Sequence, residues 1–462
     1  MKTSLNRKKI TLGLIAADKR IHSVSVNRFS DNLTKVAKER FAFLEFFPES
    51  FKNSREAQLA LEEFAKRVDL ILELPRVYSP FSYSFSIPTV SFTAGFFSKP
   101  NLHLPELWSI LWPNNSLVFS CRAELEIFNR LFNHCREMAY LLHWPVDTTV
   151  FKPTDERRTK EIRQRIGLKA DEFLLLYAGR IIPEKNIHTL LKIFREVFKI
   201  FPNSRLCIAG RTTDFLANDY RTASNRINYP QNLKRIIRQY VLERKVIFIE
   251  HLETEDLISL YSAADIFVNC TVYPYENFGY GQVEAMACAT PVVCSAWGGL
   301  KDTVVDSVTG YLMDTLVTDK GPKVDWQTGS ERIISILKDA KLRQKLSKNS
   351  LKHVRKNFSL KDFGVKLEDI IFLTLERKRK LKSYNQFRNV SPELMDIYLG
   401  YLYKRILVQC HSACDNKYNF KDKKELYYDA SLLASYSSVP TESKFAGNGS
   451  QRLDFINASS RA

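Results

Sequence analysis

The chain has 462 residues, 45% hydrophobic and 26% charged, and its 69 Lys and Arg against 51 Asp and Glu leave a formal net charge of +18. That length exceeds one ordinary core, so two domains plus an appendage are expected, and the hydrophobic share excludes a chain disordered throughout. The cationic excess suits anionic ligands, an anionic membrane face or nucleic acid, and alone chooses none of them.

In chain order, Lys8-Lys9 and the apolar run 10–17 end in Asp18-Lys19-Arg20, which reads as a first strand rather than a secretion signal. Helical spacing over 29–41 and 57–68 alternates with strand-like runs at 10–16, 43–47, 70–74, 87–92 and 116–120. The aromatic stretch 81–97 is broken by serines and Pro88, and no run approaches the roughly 18–20 apolar residues that span a bilayer. Residues 141–151, with Pro145 and Pro153 nearby, look like a hinge.

From Glu172 to about Asp314 the rhythm is clearer. Strands are predicted at 173–178, 205–209, 246–249, 265–270 and 292–295, and helices at 187–201, 233–242 and 254–264. Such alternation implies a parallel sheet with helices on both faces, where ligands bind beyond the carboxyl ends of the strands. A third section opens with the basic run 377–382 and ends, from about 435, in a Ser-, Asn-, Gly- and Ala-rich tail expected to be disordered. Most of the eight cysteines lie in apolar runs, as small hydrophobes in a reducing cytosol would; Cys410 and Cys414 lack a second Cys or His pair, so zinc is not expected.

Three loops follow predicted strands of this second half. Gly179-Arg180 and Lys185 place two cations after a bend, suited to neutralising a diphosphate. Glu276 to Glu284 (Glu-Asn-Phe-Gly-Tyr-Gly-Gln-Val-Glu) runs through Gly279 and Gly281 into a short helix, an anion site with carboxylates beside it. Glu284 is expected in the first helical turn, within reach of sugar hydroxyls. Gly298-Gly299, after the strand 292–295, permits close backbone approach to a ligand.

The order Gly179-Arg180, Lys185, Leu260-Tyr261, Ala264-Asp265, Glu276, Phe278-Gly279, Glu284-Ala285-Met286-Ala287, Thr290-Pro291-Val292-Val293, Gly298-Gly299 and Thr309-Gly310 resembles the donor half of glycosyltransferase family 4. The resemblance covers about 172–315, and less fully to about 375. It implies the GT-B architecture: two α/β, Rossmann-like, doubly wound domains facing a cleft, here 1–147 on the acceptor side and 148–376 on the donor side, with an extension over 377–462. It also implies a metal-independent retaining hexosyltransferase that needs no cofactor beyond its nucleotide-diphosphate sugar. Arg180 and Lys185 would hold the diphosphate, Glu276 the donor sugar and Glu284 the ribose; Gly179, Phe278, Gly279, Tyr280, Gly281, Gly298 and Gly299 would complete the donor site.

The first half matches only in outline. The stretch 26–37 resembles the helix after the family's first glycine-rich loop, but His22-Ser23-Val24-Ser25 stands where the glycines belong. Ala94-Gly95 ends a strand that in the family often ends in histidine; His103 lies nearby. In the second half Glu250-His251, Ala289 and Asp302 also depart from the pattern. The acceptor expected is a glycan or a lipid-linked sugar, with a peripheral contact to the cytoplasmic face of an anionic membrane. The alternative is a catalytically degenerate nucleotide-sugar binder or membrane adaptor. No nucleic-acid recognition motif is present.

Overall fold

The computed structural model describes residues 10–16, 24–47, 50–51, 54–74, 87–93, 115–131, 133–211, 229–250, 252–272, 276–318 and 321–380. His22, Ala94, Gly95, His103, Cys410, Cys414 and the tail expected from about 435 lie outside them.

The first sheet is built from β1 (Thr11–Ile15), β2 (Ala42–Phe46), β3 (Leu70–Glu73), β4 (Thr89–Thr93), β5 (Asn115–Phe119) and β6 (Ala139–Leu141). Its order is β2-β1-β3-β4-β5-β6, all parallel. The helices α1 (Val24–Arg40), α2 (Ser54–Ala65) and α3 (Arg122–Leu131) connect and cover it. α1 is helical because Val26, Phe29, Leu33, Val36 and Ala37 fall on one buried face while Asp31, Lys35, Lys38 and Glu39 are exposed. Ring stacking fixes its seat: Phe29 lies parallel to Trp144 at 4.6 Å and edge-on to Phe92 at 5.1 Å.

After α4 (Glu156–Arg165) the second sheet takes β7 (Phe173–Ala178), β8 (Ser204–Ala209), β9 (Val246–Ile249), β10 (Ile266–Asn269), β11 (Val292–Ser295) and β12 (Gly310–Met313). Its order is β12-β11-β10-β7-β8-β9, again parallel. The intervening helices are α5 (Ile187–Ile200), α6 (Tyr229–Gln239), α7 (Thr254–Ala263), α8 (Tyr280–Ala287) and the single turn α9 (Leu300–Thr303). The chain winds outward from β7 to β9, then returns to lay β10 on the other side of β7. The strand order therefore reverses between β7 and β10, the kind of point beyond whose carboxyl edge open α/β sheets bind ligands.

A hairpin of β13 (Thr315–Thr318) and β14 (Gly321–Val324) leads into α10 (Trp326–Lys338), α11 (Ala340–Asn357) and α12 (Leu360–Lys380). α10 packs on the second sheet, and α11 packs against α8. α12 crosses back instead: Phe363 meets Phe29 at 6.0 Å, Thr374 Oγ1 lies 2.6 Å from Ser116 Oγ, and Arg377 donates to the carbonyls of Asn115 and Glu137. The two passages between domains touch, since the Val146 N–H donates to Phe358 O at 2.7 Å. Among the described residues no helix is long and apolar enough to cross a membrane.

The strands predicted from sequence are present within about two residues of their expected ends. Absent from that prediction are α3, α4, α9, β6, β12 and the β13–β14 hairpin. α4 buries only Ile162 and carries no apolar stripe to read; it is held by the Asp155 carboxylate, which accepts the Arg158 N–H at its start.

Candidate active site

The β7 loop is locked from below. Tyr177 donates its hydroxyl to Arg180 O at 2.9 Å, and burial pushes the Tyr177 phenol well up, so it remains a neutral donor. Gly179 packs so closely on Gly210 that a Cβ on Gly210 would lie 1.8 Å from Gly179 O. Arg180 is half-buried in this loop. A short 3-10 turn over Pro183–Lys185 and a left-handed Asn186 then lead into α5. The buried Asn186 amide donates to Cys270 O at 3.0 Å, and the Val272 N–H donates to Glu184 O at 3.2 Å. These bonds tie the loop after β7 to the one after β10.

Lys185 Nζ and Glu276 form an ion pair across that junction, with both side chains largely buried. Glu276 is joined to the third loop through its backbone, as the Gly299 N–H donates to Glu276 O at 2.8 Å. A Cβ on Gly299 would stand 1.9 Å from Asn277 O, so only glycine allows this approach. Gly298 beside it is left-handed, at φ 50°. The three loops singled out from sequence thus meet in one place.

Gly279 caps α8 at φ 78°, and the helix begins at Tyr280. Glu284 is therefore its fifth residue, in the second turn rather than the expected first. Local backbone donors do not hold it there. Its carboxylate accepts from the Tyr261 hydroxyl at 3.0 Å and from the guanidinium of Arg28, which arrives from α1 of the first domain. Burial opposes the charge on Arg28, but the neighbouring Glu284 carboxylate outweighs it and keeps the Arg28 pKa above its ordinary value.

Gly281 lies inside α8; a Cβ there would be 3.0 Å from Ala178 O, so its bareness serves the packing of helix on strand. Phe278 and Tyr280, expected at the donor, turn to protein instead. Phe278 is buried edge-on to Phe358, and Tyr280 packs against Trp144 at 5.7 Å. Gln282 is fully buried, donating to Thr303 Oγ1 at 2.6 Å and accepting from Asn269 at 3.3 Å.

Sequence reasoning missed the cross-domain contacts. Besides Arg28, Glu124 at the start of α3 accepts the Asn277 side-chain amide at 2.9 Å. The Arg122 N–H donates to Asp302 Oδ2 at 2.7 Å. Burial pushes the Asp302 carboxyl up while that N–H pulls it down. No local pattern announces Arg28, Arg122 or Glu124.

Residues 158–353 match the family model described as glycosyl transferases group 1. That stretch is similar to a group 1 glycosyltransferase domain. The chain is 28% identical over 229 residues to a curated D-inositol 3-phosphate glycosyltransferase of Mycolicibacterium smegmatis, covering 50% of this chain and 48% of that protein. The chain thus spans about half the length of the curated relatives it matches. The whole two-domain arrangement superposes on the Anabaena protein HepE in complex with UDP and glucose, with TM-score 0.61, 17% identity, and coverage of 79% of this chain and 99% of that one. A glycosyltransferase from Rickettsia africae gives TM-score 0.63 at 15% identity, over 81% and 100%. The fold is GT-B.

Proposed function

We propose that the protein is a retaining glycosyltransferase that moves a hexose from a nucleotide-diphosphate sugar to a glycan or lipid-linked acceptor, without a metal ion. The observation that carries this is the Lys185–Glu276 ion pair at the reversal point of the second sheet. A diphosphate arriving there draws Lys185 and Arg180 to itself, which releases the Glu276 carboxylate to accept hydrogen bonds from the donor sugar. The barrier is dominated by charge growing on the leaving diphosphate and on an oxocarbenium-like sugar, and cations at the first with a carboxylate at the second lower it. Glu284 takes the ribose hydroxyls. Acceptor choice falls to the first domain across the cleft.

Support for a peripheral position at an anionic membrane face comes from α11. Lys341, Lys345, Lys348, Lys352, Arg355 and Lys356 recur at helical spacing and are all exposed, and the helix contains no acidic residue.

The test is turnover with a panel of UDP-, GDP- and ADP-sugars, beginning with UDP-glucose because HepE holds UDP and glucose. Transfer or donor hydrolysis that leaves the anomeric configuration unchanged by NMR is expected. An inverted product would overturn the retaining mechanism, and nucleotide-sugar binding without any turnover would mark a degenerate binder.

A further inference from the structure

Glu284 stands where the donor assignment above, on which this inference rests, puts the ribose. Yet its side chain is only 2% exposed and both oxygens are engaged, Oε1 by Arg28 and Oε2 by Tyr261. A ribose diol can reach this carboxylate only if one partner leaves. Tyr261 is buried inside the same domain, and its carbonyl holds the Thr290 hydroxyl at 2.5 Å. Arg28 comes from the opposite domain, its side chain is 23% exposed, and its guanidinium rests over the Phe151 ring at 5.0 Å. The partner free to move is Arg28.

The other cross-cleft bonds have the same address. Glu124 holds Asn277, the neighbour of Glu276, and Arg122 holds Asp302, just beyond Gly298-Gly299. The first domain thus grips the second on the loops that would receive the donor.

We propose that Arg28 is a built-in competitor for the ribose hydroxyls. In the free protein its guanidinium occupies the ribose carboxylate and latches the domains together; a nucleoside diphosphate with a ribose cis-diol exchanges hydroxyl donors for guanidinium donors at Glu284 and releases the latch. Because the latched form cannot accept the diol, apparent affinity is lowered by the fraction of molecules latched. Removing Arg28 therefore tightens nucleotide binding, whereas a residue that merely supported the site would weaken it on removal.

The experiment is calorimetric titration of the full chain, wild type, Arg28→Ala and Arg28→Lys, with UDP, GDP and ADP, and with the 2′,3′-dideoxy form of whichever binds. Thermal unfolding of each variant reports that it is folded, and Arg28→Lys retains the charge if Arg28→Ala does not fold. Expected are a gain of threefold or more for Arg28→Ala with the ribonucleotide, an intermediate value for Arg28→Lys, and no gain with the dideoxy nucleotide. Equal or weaker ribonucleotide binding by Arg28→Ala overturns the proposal, as does an equal gain for the dideoxy form. If neither the wild type nor the variants bind any of the three nucleotides, the donor assignment itself falls and the latch with it.

Discussion

Lys185 and Glu276 neutralise one another in the free protein, so each substitution exposes what the other was holding. Glu276→Gln removes the carboxylate but leaves the loop's shape, and it is expected to lower kcat/KM by about 100-fold, roughly 3 kcal/mol of transition-state stabilisation. Lys185→Ala is expected to cost a similar factor and to weaken nucleotide binding as well, because the cation meets the diphosphate in ground and transition states alike. Steady-state kinetics with a separate nucleotide titration check both. A Glu276→Gln enzyme with unchanged kcat/KM would remove the carboxylate from the reaction. These residues were legible in the sequence because their chemistry is local: cations behind a glycine bend, a carboxylate before a glycine cap. Arg28 was not, for its partner lies 256 positions away and helix α1 offers no sign of which charge looks across the cleft.

At the scale of elements, α12 is the least obvious piece. Its sequence looks like a terminal helix of the second domain, but Phe363, Leu367, Ile370 and Ile371 are buried among first-domain and hinge residues. Truncating Phe363 to alanine leaves a cavity against Phe29 and Phe92, expected to cost about 3–5 kcal/mol. Urea unfolding followed by Trp fluorescence measures that loss. α5 makes a second prediction. His188 opens the helix beside Tyr229, and burial drops its pKa from 6.5 to about 4. The unfolded chain then binds a proton near pH 6.5 that the folded chain refuses until about pH 4, so stability falls as pH is lowered through that window. The expected loss is on the order of 1–2 kcal/mol, allowing for partial exposure of the ring. His188→Gln should flatten that part of the pH profile; an unchanged slope would place the titration elsewhere. The sequence could place α5 by its apolar stripe but not foresee the depressed histidine, which depends on Tyr229 packing over it from α6.

For the whole molecule, the parallel sheets were readable because apolar runs and helical spacing alternate, and a parallel strand needs a crossover. The contacts between domains were not, since they join residues with no sequence relation. Reversing Lys345, Lys348 and Lys352 to glutamate should abolish binding to vesicles containing anionic lipid while leaving nucleotide affinity unchanged; vesicle flotation at low and physiological salt reads the outcome, and unaltered binding would take the membrane contact away from α11.

The return of α12 also orders the birth of the molecule. The first sheet is complete once β6 leaves the ribosome, but the helix that closes one of its faces is encoded about 240 residues later, a delay of some ten to fifty seconds at ordinary synthesis rates. The second domain is in effect an insert, finished while its host still waits with an uncovered face. A chain stopped at residue 359 is expected to give a protease-resistant fragment beginning near residue 152 and a digested first half, so the part of this protein made first is the part that folds last.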